Sequence, residues 1–199
     1  MSVAIDWFQI DWDQWRREHH NLTFADQQAF YQRVAELYPH QQSFDALVCH
    51  EAFDRIADED LDIVELGGWD GALASSMLTR PDISRWTNYD LVEVPQVCRH
   101  PAYRLAILED YLWSGDPIKA DVFVACHTIE HLTSEELEKL FDWLRVKYVY
   151  LEAPLKLEPY DWTGYPGSHI LEIGWNEVAE MLKSRKYGWV APNLWRYEP

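Results

Sequence analysis

The sequence predicts an α/β fold in which helices cover both faces of a doubly wound, mostly parallel sheet of six to seven strands. From residue 61 onward, short apolar runs alternate with helical stretches, which is typical of such a sheet. Residues 1–60 differ, because their apolar residues recur at steps near three and four. This spacing predicts an N-terminal helical cap. Sheets of this class bind ligands at the carboxyl ends of their strands.

The helical cap is predicted from two groups of apolar residues whose spacing places them on helical faces. They are Trp7, Ile10 and Trp15, then Phe24, Phe30, Val34 and Leu37. Pro39 ends this segment, since proline disfavours helix in the residue before it. A second helix is expected over 44–56. No Gly or Ser linker follows these helices, so we treat the cap (1–60) and the core (61–199) as one domain.

Six segments of the core have the composition of strands, at 61–66, 86–92, 103–108, 121–126, 146–151 and 189–195. Helices are expected at 72–78, 134–144 and 176–186. The end of the chain leaves little room for a further hairpin, because only 11 residues follow Gly188 and Pro192 is one of them. We therefore expect six strands, or a seventh that is rudimentary or supplied by another subunit.

The loop after the first strand carries the most information about function. The strand ends in Glu65, and the turn that follows contains Gly67, Gly68, Trp69 and Gly71. Glycines permit a tight turn and the close approach of a ligand. An acid here repels phosphate and no Lys follows, so a dinucleotide pyrophosphate or a P-loop is disfavoured. The loop suits a ligand with a cationic amino group and a ribose. A glycine turn in another α/β fold is the alternative.

This loop resembles the first motif of the class I S-adenosylmethionine-dependent methyltransferases, which is an acid, one residue and then a GxGxG pattern. The matching positions are Glu65, Gly67, Trp69 and Gly71, with Trp69 in place of the central glycine. The resemblance covers about residues 61–190. It implies a Rossmann-like fold with S-adenosylmethionine as the methyl donor and S-adenosylhomocysteine as the product.

The resemblance also implies further cofactor-binding residues after the later strands. An acid after the second strand would hold the ribose hydroxyls, and Asp90 and Glu93 are both candidates. We prefer Glu93, because Asp90 is expected inside the strand, where an unpaired carboxylate is costly. Asp110 would meet the adenine amino group, with Tyr111 offering a backbone N–H or a ring face. Cys126, which ends the fourth strand, is a cofactor-side residue rather than a nucleophile.

Candidate catalytic residues are histidines, because a base for methyl transfer to oxygen or nitrogen should titrate near neutrality. His127 and His131 follow the fourth strand, in a segment that resembles the Glu-His-Leu ending of the family's fourth motif. His169 lies in the long loop 152–172, a natural cover for a substrate. A mainly structural role for the Glu130-His131 pair stays open.

A metal site is a further alternative at these positions. A Glu-x-x-Glu-His sequence followed by a distant His is the metal set of the small-RNA 3′-terminal 2′-O-methyltransferases. Here the corresponding residues are His127, Glu130, His131 and His169. His127 stands where the first Glu should be, and an acidic chain disagrees with an RNA substrate. We therefore predict no metal site.

The charge of the chain limits its partners. The net charge is 17 − 34 = −17, with −8 in residues 1–60 and −9 in residues 61–199. This excess argues against nucleic acids and anionic membranes, which are polyanions. A small molecule or a glycan precursor is therefore the expected methyl acceptor. The rival hypothesis is a degenerate methyltransferase fold that serves as a binding or regulatory protein.

Location is read from the cysteines and from the start of the chain. Three cysteines, an odd number with no close pair, are typical of cytosolic thiols (Cys49, Cys98 and Cys126). The first residues do not resemble a signal peptide, and no apolar run reaches the ~18 residues of a membrane span. We expect a soluble cytoplasmic protein and a possible homodimer.

Overall fold

A computed structural model describes residues 21–37, 46–117, 119–153, 155, 171 and 173–199. Its helices are α1 (Phe24–Leu37), α2 (Ala46–Phe53), α3 (Ala72–Met77), α4 (Ser134–Trp143) and α5 (Trp175–Ser184). Its strands are β1 (Leu61–Leu66), β2 (Ile83–Asp90), β3 (Tyr103–Ile107), β4 (Val122–Cys126), β5 (Tyr148–Glu152), β6 (Tyr187–Ala191) and β7 (Leu194–Tyr197). None of the described helices is long and apolar enough to cross a bilayer.

The seven strands form one sheet in the order β3-β2-β1-β4-β5-β7-β6. β1 to β5 are parallel, and β7 runs antiparallel between β5 and β6. The strand order reverses between β1 and β4, which start the two halves of the sheet. In a doubly wound fold this switch point is where a ligand crevice opens, so the loops after β1 and β4 border the expected site.

Apolar side chains on both faces of the sheet form the core. On one face Leu61 and Ile63 pack with Phe53 of α2, so α2 belongs to the same core as the sheet. On the other face Val64 packs with helices α4 and α5, through residues such as Leu137. β4 is buried along its whole length. Such continuous burial is expected of a central parallel strand with helices on both faces.

The end of the chain corrects one prediction. The segment 189–195 is not one strand: it contains the end of β6, a two-residue turn and the start of β7. Pro192 and Asn193 form the turn, and Asn193 has a φ of 63°, which asparagine tolerates better than most residues. The sheet has seven strands, the upper number of the predicted six to seven, and the alternatives of six strands and of a strand from another subunit were wrong. Eleven residues suffice because the hairpin turn is so short.

The other predicted elements of the core exist: β1 has the predicted bounds, and the others differ at their ends. β2 starts three residues earlier than predicted and ends at Asp90 instead of at residue 92. β5 is shifted to Tyr148–Glu152, so an acid ends this strand. In the helical region, α1 and α2 lie within the segments predicted as helical, and α2 is shorter than expected. Residues 1–20, which contain Trp7, Ile10 and Trp15, lie outside the described residues.

Candidate functional site

The loops after β1 and β4 are packed tightly against each other at the carboxyl edge of the sheet. The hydroxyl of Thr128 donates to the carbonyl oxygen of Leu66, 2.9 Å away. A Cβ atom on Gly67 would overlap the Thr128 side chain, and Gly67 has a φ of 71°. Glycine is required here for both reasons. Contact with the neighbouring loop therefore sets the shape of the turn after β1.

Two polar side chains of β2 hold the backbone of the same turn. Asn88 accepts a hydrogen bond from the Gly68 N–H and Asp90 accepts one from the Trp69 N–H, both at 2.9 Å. The second oxygen of Asp90 accepts from the Leu91 N–H at 2.7 Å. Burial raises the pKa of Asp90 to about 6, while these backbone N–H groups oppose the rise.

The position of Asp90 corrects the reason for preferring Glu93. Asp90 is the last residue of β2, not an interior one, so it stands at the strand end where a ribose-binding acid is expected. Its carboxylate is paired with backbone N–H groups, which removes the cost that the sequence argument assigned to it. Glu93 is exposed, three residues beyond the strand.

Glu65 is buried on the other side of the turn. Glu65 is 1% exposed, and its carboxyl group accepts a hydrogen bond from the indole N–H of Trp86 at 2.7 Å. Burial raises the pKa of Glu65 to about 8, while the hydrogen bond from Trp86 opposes the rise. A Cβ on Gly68 would overlap this carboxyl group. Glu65 therefore acts inside the protein, as a buried support of the turn.

A third contact network closes the turn. Gln96 donates to the Trp69 carbonyl oxygen at 2.9 Å, and the Tyr103 hydroxyl donates to the Gln96 side-chain oxygen. A Cβ on Gly71 would lie 2.8 Å from the Tyr103 hydroxyl oxygen. Asn88, Gln96 and Tyr103 were not among the residues predicted for the site. The one available signal was an asparagine inside a predicted strand, where asparagine is uncommon.

Helix α1 lies across the carboxyl ends of β2 and β3. The Gln28 amide donates to the carbonyl oxygens of Leu91 at 2.9 Å and Leu108 at 3.4 Å. Gln27 donates to the Tyr111 hydroxyl at 2.8 Å. Apolar residues of α1, together with residues 91–94, also pack against the Trp69 ring. α1 therefore covers the loops in which the sequence analysis placed the cofactor.

The residues after β3 lie at the rim of this covered region. Asp110 is exposed and accepts a hydrogen bond from the Tyr111 N–H at 2.7 Å. The Tyr111 ring stacks on Trp113 with 4.8 Å between ring centroids, and its edge meets Phe24 of α1 at 5.1 Å. Burial raises the pKa of Tyr111 to about 12. Tyr111 thus joins the β3 loop to α1.

The segment after β4 gathers two histidines and two acids. His127 Nδ1 lies 3.5 Å from a Glu130 carboxylate oxygen, and His127 Nε2 lies 3.8 Å from a Glu152 carboxylate oxygen. His131 Nε2 lies 4.0 Å from Glu130, and its ring meets Tyr31 of α1 at 6.1 Å. His127 has a φ of 51°, and its N–H donates to the Glu152 carbonyl oxygen at 2.7 Å.

Glu152 is a site residue that the sequence analysis missed, because the fifth strand was predicted to stop one residue before it. Its second carboxylate oxygen accepts a hydrogen bond from the Tyr150 hydroxyl at 2.8 Å. Cys126 is buried, and burial raises its thiol pKa well above the usual value. That environment fits a packing residue rather than a nucleophile. The His127 ring, by contrast, is partly exposed between two carboxylates.

Some predicted residues are not placed by the structure. His169 and most of the loop 152–172 lie outside the described residues, so His169 stays a prediction. The described part of the chain contains no group of three or more His, Cys, Asp and Glu side chains that could hold a metal ion.

No protein-family model and no curated protein matches this chain, but solved structures match its fold. The pyocyanin biosynthetic protein PhzM is 15% identical, with a TM-score of 0.52 over 75% of this chain and 52% of PhzM. The methyltransferase domain of bacterial CtHen1 is 18% identical, with a TM-score of 0.53 over 72% and 85%. YcgJ from Bacillus subtilis is 12% identical, with a TM-score of 0.55 over 72% and 69%.

The chain spans about half the length of some of the structures that it matches. It covers 52% of PhzM and 55% of the S-adenosylmethionine-dependent methyltransferase SibL. At such low identity the likeness shows a shared fold and not a shared activity, because one fold hosts many functions. The chain has the α/β, Rossmann-like fold of the class I S-adenosylmethionine-dependent methyltransferases.

Proposed function

We propose that this chain transfers the methyl group of S-adenosylmethionine to an oxygen or nitrogen atom of a small molecule or a glycan precursor. The observation that carries the proposal is a convergence of loops under α1. The turn at 67–71, the acid that ends β2 and the segment with His127 and His131 meet at one edge of the sheet. This edge is the ligand side of a doubly wound fold.

The residues at this edge fit the proposed cofactor. Asp90, Glu93 and Asp110 are acceptors of the kind that ribose hydroxyls and an adenine amino group need. The Trp69 indole N–H is buried and has no hydrogen-bond partner among the described residues, so it can donate to an acceptor of a ligand. When bound, S-adenosylmethionine supplies a methyl group on a sulfonium that is already reactive. The chain then has to align and enclose the two substrates and to remove a proton from the acceptor.

We assign His127 as the base that takes a proton from the methyl acceptor. Its two ring nitrogens lie near Glu130 and Glu152, which orient the ring, and histidine is the side chain that most often transfers protons in enzymes. His131, which lies 4.0 Å from Glu130 and against the Tyr31 ring, is the second candidate. Helix α1 covers the neighbouring loops after β2 and β3, and its Tyr31 ring lies against His131.

Calorimetry with S-adenosylhomocysteine tests the proposal. We expect binding with a dissociation constant below about 1 mM, the upper end of ordinary enzyme affinities. Asp110→Asn should weaken binding, because it removes a charged acceptor at the rim. Glu138→Gln removes an exposed acid of α4 away from the loops and should leave binding unchanged. No measurable heat at 1 mM ligand would contradict the proposal.

A binding or regulatory protein with a degenerate site is the second candidate. Trp69 in place of a glycine motivates it. So does the [4+2]-cyclase SpnF, which matches this fold at 12% identity with a TM-score of 0.51 over 74% of this chain and 61% of SpnF. Binding of S-adenosylhomocysteine without methyl transfer to any of a broad panel of alcohols, phenols, amines and sugars would favour this candidate.

The class of acceptor is proposed from charge. A chain with a net charge of −17 favours a neutral or cationic acceptor over a polyanion. A matched assay compares S-adenosylhomocysteine production with the small-molecule panel and with short RNA. Turnover with RNA alone would favour the alternative of an RNA ribose methyltransferase.

We also propose a cytoplasmic location, which the three free, buried thiols support.

A further inference from the structure

A second concave surface lies at the opposite end of the sheet from the candidate site. It is a groove of about 680 Å³ formed by the end of α4, the chain leading into β5, the turn between α5 and β6, and the end of β7. Tyr148 of the groove starts β5, and Glu152 of the candidate site ends it. At about 3.3 Å per residue, the strand separates the two by roughly 13 Å. This volume is typical of sites for small ligands.

The groove is positively charged on a strongly acidic protein. Five of the 17 Lys and Arg residues line it, and Asp142 is its one acidic lining residue, so the lining sums to 5 − 1 = +4. The cations are Arg145, Lys147, Arg185, Lys186 and Arg196. Three acids beside the groove pair with them: Asp58, Asp121 and Glu198. Counting these too, the sum is 5 − 4 = +1, while the whole chain carries −17.

Two of the five cations have no carboxylate partner among the described residues, Arg145 and Lys186. Arg185, in contrast, pairs with Asp142 at 2.6 Å, and Lys147 pairs with Asp121 at 3.0 Å. Arg145 is nevertheless held in place, because its guanidinium donates to two backbone carbonyl oxygens at the end of α4, both at 2.6 Å. A fixed cation without a counter-charge is suited to binding an external anion.

The walls between the cations are rigid and partly apolar. The Tyr187 hydroxyl donates to the Val146 carbonyl oxygen at 3.1 Å, and the Tyr187 and Tyr197 rings meet edge to face at 5.5 Å. The Lys186 carbonyl oxygen accepts from the Glu198 N–H at 2.7 Å, which ties the turn before β6 to the end of β7. The groove is therefore built before any ligand arrives, so binding costs little ordering.

We propose that this groove binds a compact anion with two or more negative charges, carried by phosphate or carboxylate groups. Compactness follows from the charge of the surroundings. Outside the lining, the chain carries −17 − 4 = −21, so a long polyanion leaving the groove would be repelled. At physiological salt, screening by ions weakens the interaction between exposed charges that lie more than about 8 Å apart. A small anion inside the groove therefore meets mainly the local cations.

The test uses the full chain with two probes, pyrophosphate and citrate, each titrated by calorimetry at constant ionic strength. We expect both to bind, and the tighter of the two identifies phosphate or carboxylate as the preferred group. The double substitution Arg145→Gln/Lys186→Gln should weaken the tighter probe by about tenfold or more, since two nearby charges are lost. Lys186→Gln alone provides a milder variant that leaves the Arg145 contacts to α4 intact.

The matched control is Lys139→Gln/Lys183→Gln. It changes the net charge equally at two exposed lysines that pair with Glu135 and Glu180 outside the groove lining. We expect this control to bind the probes as the unaltered chain does. Equal weakening in both double variants, or no binding of either probe at 10 mM, would overturn the proposal. Binding of S-adenosylhomocysteine by the groove variant should be unchanged, which separates this result from the test of the proposed function.

Discussion

Trp69 is held in a conformation that a bulky residue disfavours. Its φ is 49°, in the left-handed region that favours glycine. Contacts to its backbone from Asp90 and Gln96 fix this conformation, and α1 packs on its ring. The strain is therefore balanced by the network around the turn. Costly conformations of this kind are concentrated at functional sites.

Trp69 and Trp86 differ in whether their indole N–H has a hydrogen-bond partner, and substitution can test this difference. The Trp86 indole N–H is bonded to Glu65, whereas the Trp69 indole N–H has no hydrogen-bond partner among the residues described. Trp86→Phe should lower the free energy of unfolding by about 2–4 kcal/mol, because it opens a cavity and orphans a buried carboxyl group. Trp69→Phe removes an unsatisfied donor and should cost at most about 1 kcal/mol.

Denaturation in urea without ligand measures both variants. Trp69→Phe acts as the control for loss of an indole ring at a less buried position. A larger loss of stability for Trp69→Phe than for Trp86→Phe would mean that the indole nitrogen of Trp69 has a partner.

Glu65 makes stability depend on pH with a definite sign. Its pKa is raised in the folded protein from 4.5 to about 8, so the folded state binds the proton more tightly than the unfolded state. Its contribution to stability is present in full below pH 4.5 and is lost as the pH rises toward 8. The slope approaches about 1.4 kcal/mol per pH unit within this window.

Glu65→Gln should flatten this pH dependence. The amide oxygen still accepts the Trp86 N–H and does not ionise, so the variant should be more stable than the parent chain at pH 8 and above. Thermal unfolding from pH 5 to 9 measures the effect. Glu93→Gln, at an exposed acid, is the control. Parallel stability curves for Glu65→Gln and the unaltered chain would contradict a buried proton at this position.

At the scale of elements, α1 is attached to the site by a few polar contacts. Gln27 and Gln28 reach Tyr111, Leu91 and Leu108. Gln27 is itself buried, although glutamine is mostly exposed in proteins. These contacts place α1 over the loops after β2 and β3, where it is suited to act as a cover that opens for a ligand.

Removal of the two amides should loosen this cover. Gln27→Ala/Gln28→Ala deletes the hydrogen bonds, each with a net contribution of about 0.5–1.5 kcal/mol, and leaves good helix formers in α1. Hydrogen exchange should become faster at 91–94 and 108–111 and stay unchanged in β4. Gln32→Ala, at an exposed position of α1, is the matched control. Unchanged exchange at both segments would show that α1 is held by its apolar contacts alone.

At the scale of the whole molecule, the sheet depends on a strand that is formed by the last residues of the chain. β7 lies between β5 and β6, and it contributes Leu194 to one face of the core and Trp195 to the other. Because it is an interior strand, its loss would also detach β6. The end of the chain is thus part of the main core.

Leu194→Ala should destabilise the whole protein by about 2–5 kcal/mol, as expected for a fully buried leucine. Trp189→Ser changes a residue of β6 that is 68% exposed and should shift stability by no more than about 0.5 kcal/mol. Urea unfolding followed by circular dichroism compares the two. A small effect of Leu194→Ala would mean that the β6–β7 hairpin folds independently of the sheet.

The sequence alone determined the fold class, the parallel strands of the core and the turn after β1. These features rest on local signals, namely apolar periodicity, strand-ending acids and glycines at fixed spacing. Only the tertiary structure decided what the side chains do. Glu65 proved to be a buried partner of Trp86, and Asp90 a holder of the turn.

Only the tertiary structure, likewise, decided that α1 covers the loops, that the β6–β7 hairpin is short and that the cationic groove exists. Gln27 and Tyr111 are 84 residues apart in the sequence, and the groove brings together the ends of α4, α5 and β7. Contacts between such distant residues have no local sequence pattern, because they depend on how the elements pack rather than on how each one forms.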